Sequence, residues 1–143
     1  MFLRVIRAAP VRKRSAAYNQ CHLGQNYTDS RFHNLGVGWD GKTKKFADVG
    51  RHAVYKKDQD RGAFKTPGLR DLTKRGPYMH DGSHRTLLKV VEFYNEGGSA
   101  NPHLSPKMKP LELTKVEVAA IVVLLEALDG RGYEDKAPTA FPQ

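Results

Sequence analysis

The adjacent pair Cys21-His22 places a soft sulfur donor beside an imidazole, two of the side chains best suited to hold a transition metal or a metallocofactor. In the pattern C-x-x-C-H, two cysteines form thioethers to the vinyl groups of haem and the histidine ligates the iron. Tyr18 stands at the first cysteine position, so one thioether, through Cys21, is the most this chain can form. The same pair also reads as a buried thiol beside an incidental histidine, or as a Cys-His nucleophilic dyad. Sequence neighbours rarely make such a dyad, and no glycine-rich oxyanion context adjoins this one. Met79 and Met108 are further soft ligands, while Tyr94 and His80 offer a phenol and a second imidazole.

The elements that must position these groups are unevenly distributed. Residues 18–85 are punctuated by Gly36, Gly38, Gly41, Gly50, Gly62, Gly68, Gly76 and Gly82, which predicts mostly loop with short helical or extended pieces. So long an irregular stretch needs something to pack on, and a large flat apolar cofactor would serve. Two helices follow. Leu87, Val90, Val91 and Tyr94 recur at i, i+3, i+4 and i+7, with Thr86 as N-cap and Gly97-Gly98 as stop. Thr114-Lys115-Val116-Glu117 is a capping box opening a second helix. Its apolar stripe reads as Val116, Ala120, Val123, Leu124, Ala127 and Leu128, and Gly130 ends it.

At 143 residues the chain is one domain's worth. The longest apolar run, Val118 to Leu125, is far too short to span a bilayer, and a lone cysteine excludes a disulfide scaffold. Net charge is +9, from 24 Lys and Arg against 15 Asp and Glu. Arg4, Arg7, Arg12, Lys13 and Arg14 concentrate that excess near the start, which divides the chain into a basic arm (1–17), a domain (18–130) and a flexible tail (131–143). Beyond the arm the bases alternate with acids, so the charge argues for an acidic protein partner rather than nucleic acid. Arg4, Arg7 and Pro10 break every apolar core a secretory signal would need. The arm reads instead as a solvated extension, a presequence-like segment or an altered start.

The order of the remaining motifs is more specific than any one of them. Phe32-His33-Asn34-Leu35-Gly36-Val37-Gly38 follows the Cys-His pair, then Asp48-Val49-Gly50-Arg51, then Gly62-Ala63-Phe64-Lys65-Thr66-Pro67 with Leu69-Arg70. Next come Pro77-Tyr78-Met79-His80-Asp81-Gly82, the run from Val90 to Gly98, and Leu113-Thr114 at the last helix. From Tyr18 to Gly130 this series resembles the C-terminal haem domain of the bacterial di-haem cytochrome c peroxidase and MauG family.

The resemblance implies a mainly α, cytochrome c-like domain whose short helices and long loops wrap one haem c, attached through Cys21. It implies His22 and Tyr94 as iron ligands on opposite faces, with Tyr94 replacing the methionine of the peroxidases as in MauG-type proteins. A phenolate is a hard anionic donor that favours ferric iron, whereas a thioether raises the potential. His80 falls on the family's loop histidine, and Tyr94 and His80 would carry the catalytic roles. Lys65, Arg51 and Arg70 would pair with the haem propionates. The resemblance also implies calcium near the Pro-Tyr loop, where Arg75 puts a competing charge. It implies a periplasmic oxidoreductase whose substrate is a small redox protein or a protein side chain. The family's second haem domain does not fit in this length, which reads as a fragment.

Overall fold

The computed structural model describes residues 20–130. The basic arm, Tyr18 and the C-terminal tail lie outside the described residues.

The glycine-punctuated half folds as short paired strands linked by turns. Strand β1 (Phe32–Asn34) pairs antiparallel with β4 (Ala63–Lys65), with His33 opposite Phe64. Between them, β2 (Trp39–Asp40) and β3 (Lys45–Phe46) form a second antiparallel pair, with the Trp39 and Phe46 rings 4.8 Å apart. The Asp40 carboxylate closes their turn, accepting the Lys42 N–H at 2.8 Å and the Thr43 hydroxyl at 2.7 Å. A single-turn helix α1 (His52–Tyr55) and 3₁₀ turns at Asp58–Asp60 and Leu72–Arg75 complete this half. Short helices and long loops are as expected. The description "mainly α" is not, because both small antiparallel pairs lie in a stretch whose lack of alternation hid them.

The two expected helices form the other half. Helix α2 (Leu87–Asn95) starts where the Thr86 hydroxyl accepts the Lys89 N–H, satisfying one of the otherwise unpaired donors of its first turn. It stops at Gly97-Gly98, where both φ angles are positive. A Cβ on Gly98 would lie 2.4 Å from the Leu35 carbonyl oxygen, so close approach of the β1 exit also demands glycine. Helix α3 (Lys115–Glu126) opens with the complete capping box: Thr114 Oγ1 accepts the Glu117 N–H, and the Glu117 carboxylate accepts the Thr114 N–H.

These helices pack on each other through a core of Leu87, Val91, Leu111, Leu113, Val118 and Leu125, with Ile121, Val122 and Leu128 against it. The α3 stripe read from the sequence is therefore rotated. Val116 and Val123 are 79% and 63% exposed, and the buried face runs through Val118, Ile121, Val122 and Leu125. Both sets have helical spacing because α3 is apolar almost all round, which leaves periodicity unable to choose a face. Asn95 ties the helices together. Its side chain accepts the Leu113 N–H at 2.7 Å and donates to the Leu113 carbonyl at 3.2 Å.

Candidate functional site

The core is incomplete on one side. Leu87, Leu111 and Leu125 belong both to it and to the wall of a cavity of about 500 Å³, within the usual range for a bound organic ligand or cofactor. The remaining wall comes from nearly every segment flagged in the sequence: Cys21 and His22, the end of β4, the Pro77–His80 loop, α2 and the loop preceding α3. No helix fills the space between these segments, so a ligand there would complete the core.

His22 is presented by a tight loop. The Asp29 N–H bonds the Cys21 carbonyl at 2.7 Å and the Thr28 N–H the Leu23 carbonyl at 2.9 Å. Tyr27 sits at φ 50°, which turns its carbonyl inward, and His22 Nδ1 donates to that oxygen at 2.8 Å. A neutral ring that keeps its proton on Nδ1 would ligate a metal through Nε2. Burial pushes the His22 pKa down, and the main-chain carbonyls of Tyr27 and Pro67 and the Asp29 charge only partly oppose it, which favours the neutral ring that a ligand must be. Burial likewise raises the pKa of the half-buried Cys21 thiol.

Tyr94 and Val90 reach the same cavity from one face of α2. His80 reaches it from the Pro-Tyr loop, its ring stacked on Phe64 with centroids 3.5 Å apart and planes 10° from parallel. Met79 and Met108 both line the cavity, Met79 with φ 70°. Lys65 lines it too, its ammonium donating to the Thr66 carbonyl at 3.2 Å.

Arg51 and Arg70 are not brought to this wall. The Arg51 guanidinium lies between the rings of Phe32 and Tyr55, at 4.4 and 4.5 Å, with its Nε 3.6 Å from Asp60. Arg70 donates to the Gln25 carbonyl at 2.8 Å and lies over the Tyr27 ring, so it braces the loop that orients His22. In their place the wall has cations that the sequence did not single out as carboxylate partners: Lys107 and Lys109 from the Pro106–Pro110 loop, and Arg75. No Asp or Glu lines the cavity among the described residues.

Arg75 also bears on the calcium expectation. Its guanidinium donates to the main-chain carbonyls of Asp71, Gly68 and Arg70, with the first two at 3.3 and 2.9 Å. An ion on this turn would sit beside a fixed positive charge, so the stretch does not fit calcium. Haem is different. Apolar walls, an oriented imidazole, a phenol, a thiol and an acid-free cationic margin fit a flat apolar macrocycle carrying two carboxylates.

No protein-family model matches the chain. It is 43% identical to the methylamine utilization protein MauG of Methylorubrum extorquens over 110 residues, covering 76% of this chain and 30% of that protein. It is 37% identical to a cytochrome c peroxidase of Denitromonas iodatirespirans, covering 76% of this chain and 35% of the relative. A cytochrome c551 peroxidase of Nitrosomonas europaea is 33% identical over 86% of this chain and 34% of its own length. Among solved structures, a MauG-like protein associated with microbial copper homeostasis superposes with a TM-score of 0.74 at 27% identity, covering 82% of this chain and 44% of that one. The chain thus spans about a third of the length of these curated relatives. On its motifs, its fold and these likenesses, the chain belongs to the family of the MauG proteins and bacterial cytochrome c peroxidases.

Proposed function

We propose that this chain is the haem c-binding electron-transfer domain of a MauG-like or cytochrome c peroxidase oxidoreductase, held on iron by His22 and Tyr94. The observation that carries the reading is the cavity itself, which no Asp or Glu lines among the described residues and which both His22, with Nδ1 2.8 Å from the Tyr27 carbonyl, and Tyr94 line. When bound, haem supplies one-electron iron chemistry that none of the twenty side chains offers.

The chain's own residues hold and tune it. Cys21 would hold the haem through one thioether, its thiol adding across a vinyl group, and His22 would ligate as the neutral ring. Tyr94 would hold the iron through its phenolic oxygen, its proton passing to solvent, and that anionic donor would favour the ferric state. Lys65, Lys107 and Lys109 pair with the carboxylates, while Arg70 and Arg51 act outside the cavity on the loops that shape it. His80, held flat on Phe64, would present its imidazole to the cavity as the family's loop histidine. Turnover as an enzyme calls for the family's second haem domain and a redox partner, either a small carrier protein or a protein side chain. Haem c is attached outside the bacterial cytoplasm, so this reading carries a periplasmic location with it.

A second reading has its own support, because Met79 and Met108 also line the cavity. A His22-methionine iron would make the chain a simple electron carrier. The weak near-infrared sulfur-to-iron band of the ferric state belongs to that reading and is absent with tyrosinate.

The test is a reduced pyridine haemochrome spectrum after export with the c-type maturation machinery and denaturing extraction. Haem that stays with the polypeptide, its main band shifted toward that of a vinyl-bearing haem, supports a single thioether through Cys21. Haem that extracts freely supports the pocket but not the attachment. Absence of haem assigns the chain to a non-haem copy and removes the proposal.

A further inference from the structure

Away from the cavity, one face of the glycine-punctuated half keeps apolar side chains in water. Phe32, Val54 and Tyr55 are 39%, 76% and 57% exposed, and clustered apolar exposure of this kind marks interaction surfaces. Arg51 joins the group. Its guanidinium carbon stands 4.4 Å from the Phe32 ring centre and 4.5 Å from that of Tyr55, so β1 and α1 hold it jointly.

The charge held there is not consumed within the chain. No N–H of the guanidinium has a hydrogen-bond partner among the described residues. Its Nε is buried, and the carboxylate beside it, Asp60 Oδ2, stops at 3.6 Å. A guanidinium fixed on aromatic rings keeps a planar fork that matches a carboxylate, and has little rotamer freedom left to lose on binding one. The surroundings have the same sign. Arg31, Lys56 and Lys57 are exposed, whereas Asp58 and Asp60 are already engaged by Arg61, His52 and Arg51.

We propose that the outer side of β1 together with α1 docks an acidic redox protein, with Arg51 as the anchor. A partner carboxylate takes the Nη groups of Arg51, and an apolar partner side chain covers Val54 and Tyr55. Aromatic residues and arginine are the types enriched at the centres of protein interfaces. A nucleic-acid strand fits this face poorly, because its centre is apolar and Asp58 and Asp60 interrupt the positive charge. The face is also close to the chemistry. His33 follows Phe32 on β1 and lines the cavity with its cross-strand partner Phe64, so one ribbon is cavity wall inside and docking surface outside. That the docked protein exchanges electrons here rests on the proposed function.

The test uses the full-length chain exported with the c-type maturation machinery and loaded with haem. The probe is a dye-labelled synthetic peptide of glutamates around a central leucine, followed by fluorescence anisotropy, with its glutamine counterpart as control. The expected result is saturable binding of the glutamate peptide alone. Arg51→Met and Arg51→Lys each weaken it at least fivefold, the second because lysine has the charge without the fork. Tyr55→Ala weakens it as well, whereas Lys115→Met, an equal loss of charge on exposed α3, leaves affinity within twofold. Absence of binding, equal binding of the glutamine peptide, or unchanged affinity in Arg51→Lys overturns the inference. So does tighter binding of a thymidine oligonucleotide, or sedimentation showing a dimer that Arg51→Met dissociates, since the face then belongs to nucleic acid or to a second copy. Should the Arg51 variants lose haem, Tyr55→Ala decides, because unchanged affinity there overturns the surface. A parent chain that takes up no haem removes the proposed function and this inference with it. A haem-loaded parent that ignores the peptide removes this inference alone.

Discussion

His22 Nδ1 lies 2.8 Å from the carbonyl of Tyr27, a main-chain contact that helps to set the ring's orientation at the cavity wall. Because the acceptor is backbone, the Tyr27 side chain should be dispensable and its conformation should not. Tyr27→Gly keeps the carbonyl and tolerates the φ of 50°, so haem retention should match the parent chain. His22→Ala should abolish it. Both are read by haem stain and by pyridine haemochrome. Loss of haem in Tyr27→Gly with an intact fold would show that the side chain, not the carbonyl, orients the imidazole.

Tyr94 poses a separate question, because an aromatic facing a core can be a ligand or only a filler. Tyr94→Phe keeps the ring volume and removes the oxygen. As a ligand, Tyr94 predicts unchanged haem content, an altered ferric spectrum and a higher midpoint potential by spectroelectrochemistry. An unchanged spectrum and potential would reduce it to a packing residue.

Much of this architecture was legible in the sequence, and the exceptions share a cause. Thr86, Thr114 and Gly97-Gly98 set helix ends through local chemistry, so reading them needed no tertiary information. The motifs around Cys21, Lys65, His80 and Tyr94 likewise reach one cavity. Arg51 and Arg70 do not line the cavity, because a guanidinium is equally at home on aromatic rings or on a carbonyl, and composition cannot tell which neighbour it meets. Lys107 and Lys109 went unremarked for the converse reason, since a lysine in a loop carries no periodicity that points it anywhere.

The rotated face of α3 has the same origin and yields a stability prediction. Val118 and Leu125 are buried, whereas Val116 and Val123 face solvent. Leu125→Ala should therefore cost about 2–5 kcal/mol, and Val116→Lys or Val123→Lys should stay within roughly 0.5 kcal/mol. Urea unfolding of the three variants decides. The stripe as first read from the sequence would demand the opposite ranking.

Acid should weaken the haem-free chain in two stages. Burial lowers the His22 pKa from its ordinary 6.5, so below 6.5 the unfolded chain takes up a proton that the folded chain resists, and stability falls. Burial pushes the Asp29 pKa up, but bonds from His33, the Arg31 N–H and Thr66 outweigh it and hold the group well below its ordinary 3.8. Its contribution is thus complete above 3.8 and is lost as pH falls toward the folded value. The urea midpoint should drop in both windows. His22→Ala should flatten the upper decline and Asp29→Asn the lower. A midpoint that stays level on crossing 6.5 would contradict the first stage.

Asn34 carries the last prediction, because it joins the two halves of the cavity's frame. Its side chain is nearly buried, donates to the Arg61 carbonyl at 2.6 Å and to Asn101 Oδ1 at 3.1 Å, and accepts the Gly36 N–H at 2.7 Å. Asn34→Leu strands that carbonyl and that N–H away from water, at a cost of about 2–4 kcal/mol. Asn34→Asp is the sharper probe. Its Oδ1 can still accept from Gly36, but an ionised carboxylate presents a second acceptor to the Arg61 carbonyl, where Asn34 had a donor. Protonation restores that donor, so the introduced carboxyl should have a raised pKa in the folded state, and its penalty should shrink as pH falls. Urea midpoints of the parent and both variants across the acid range therefore separate the missing hydrogen bond from lost volume. Asn34→Asp should converge on the parent toward low pH, whereas Asn34→Leu should keep a constant gap.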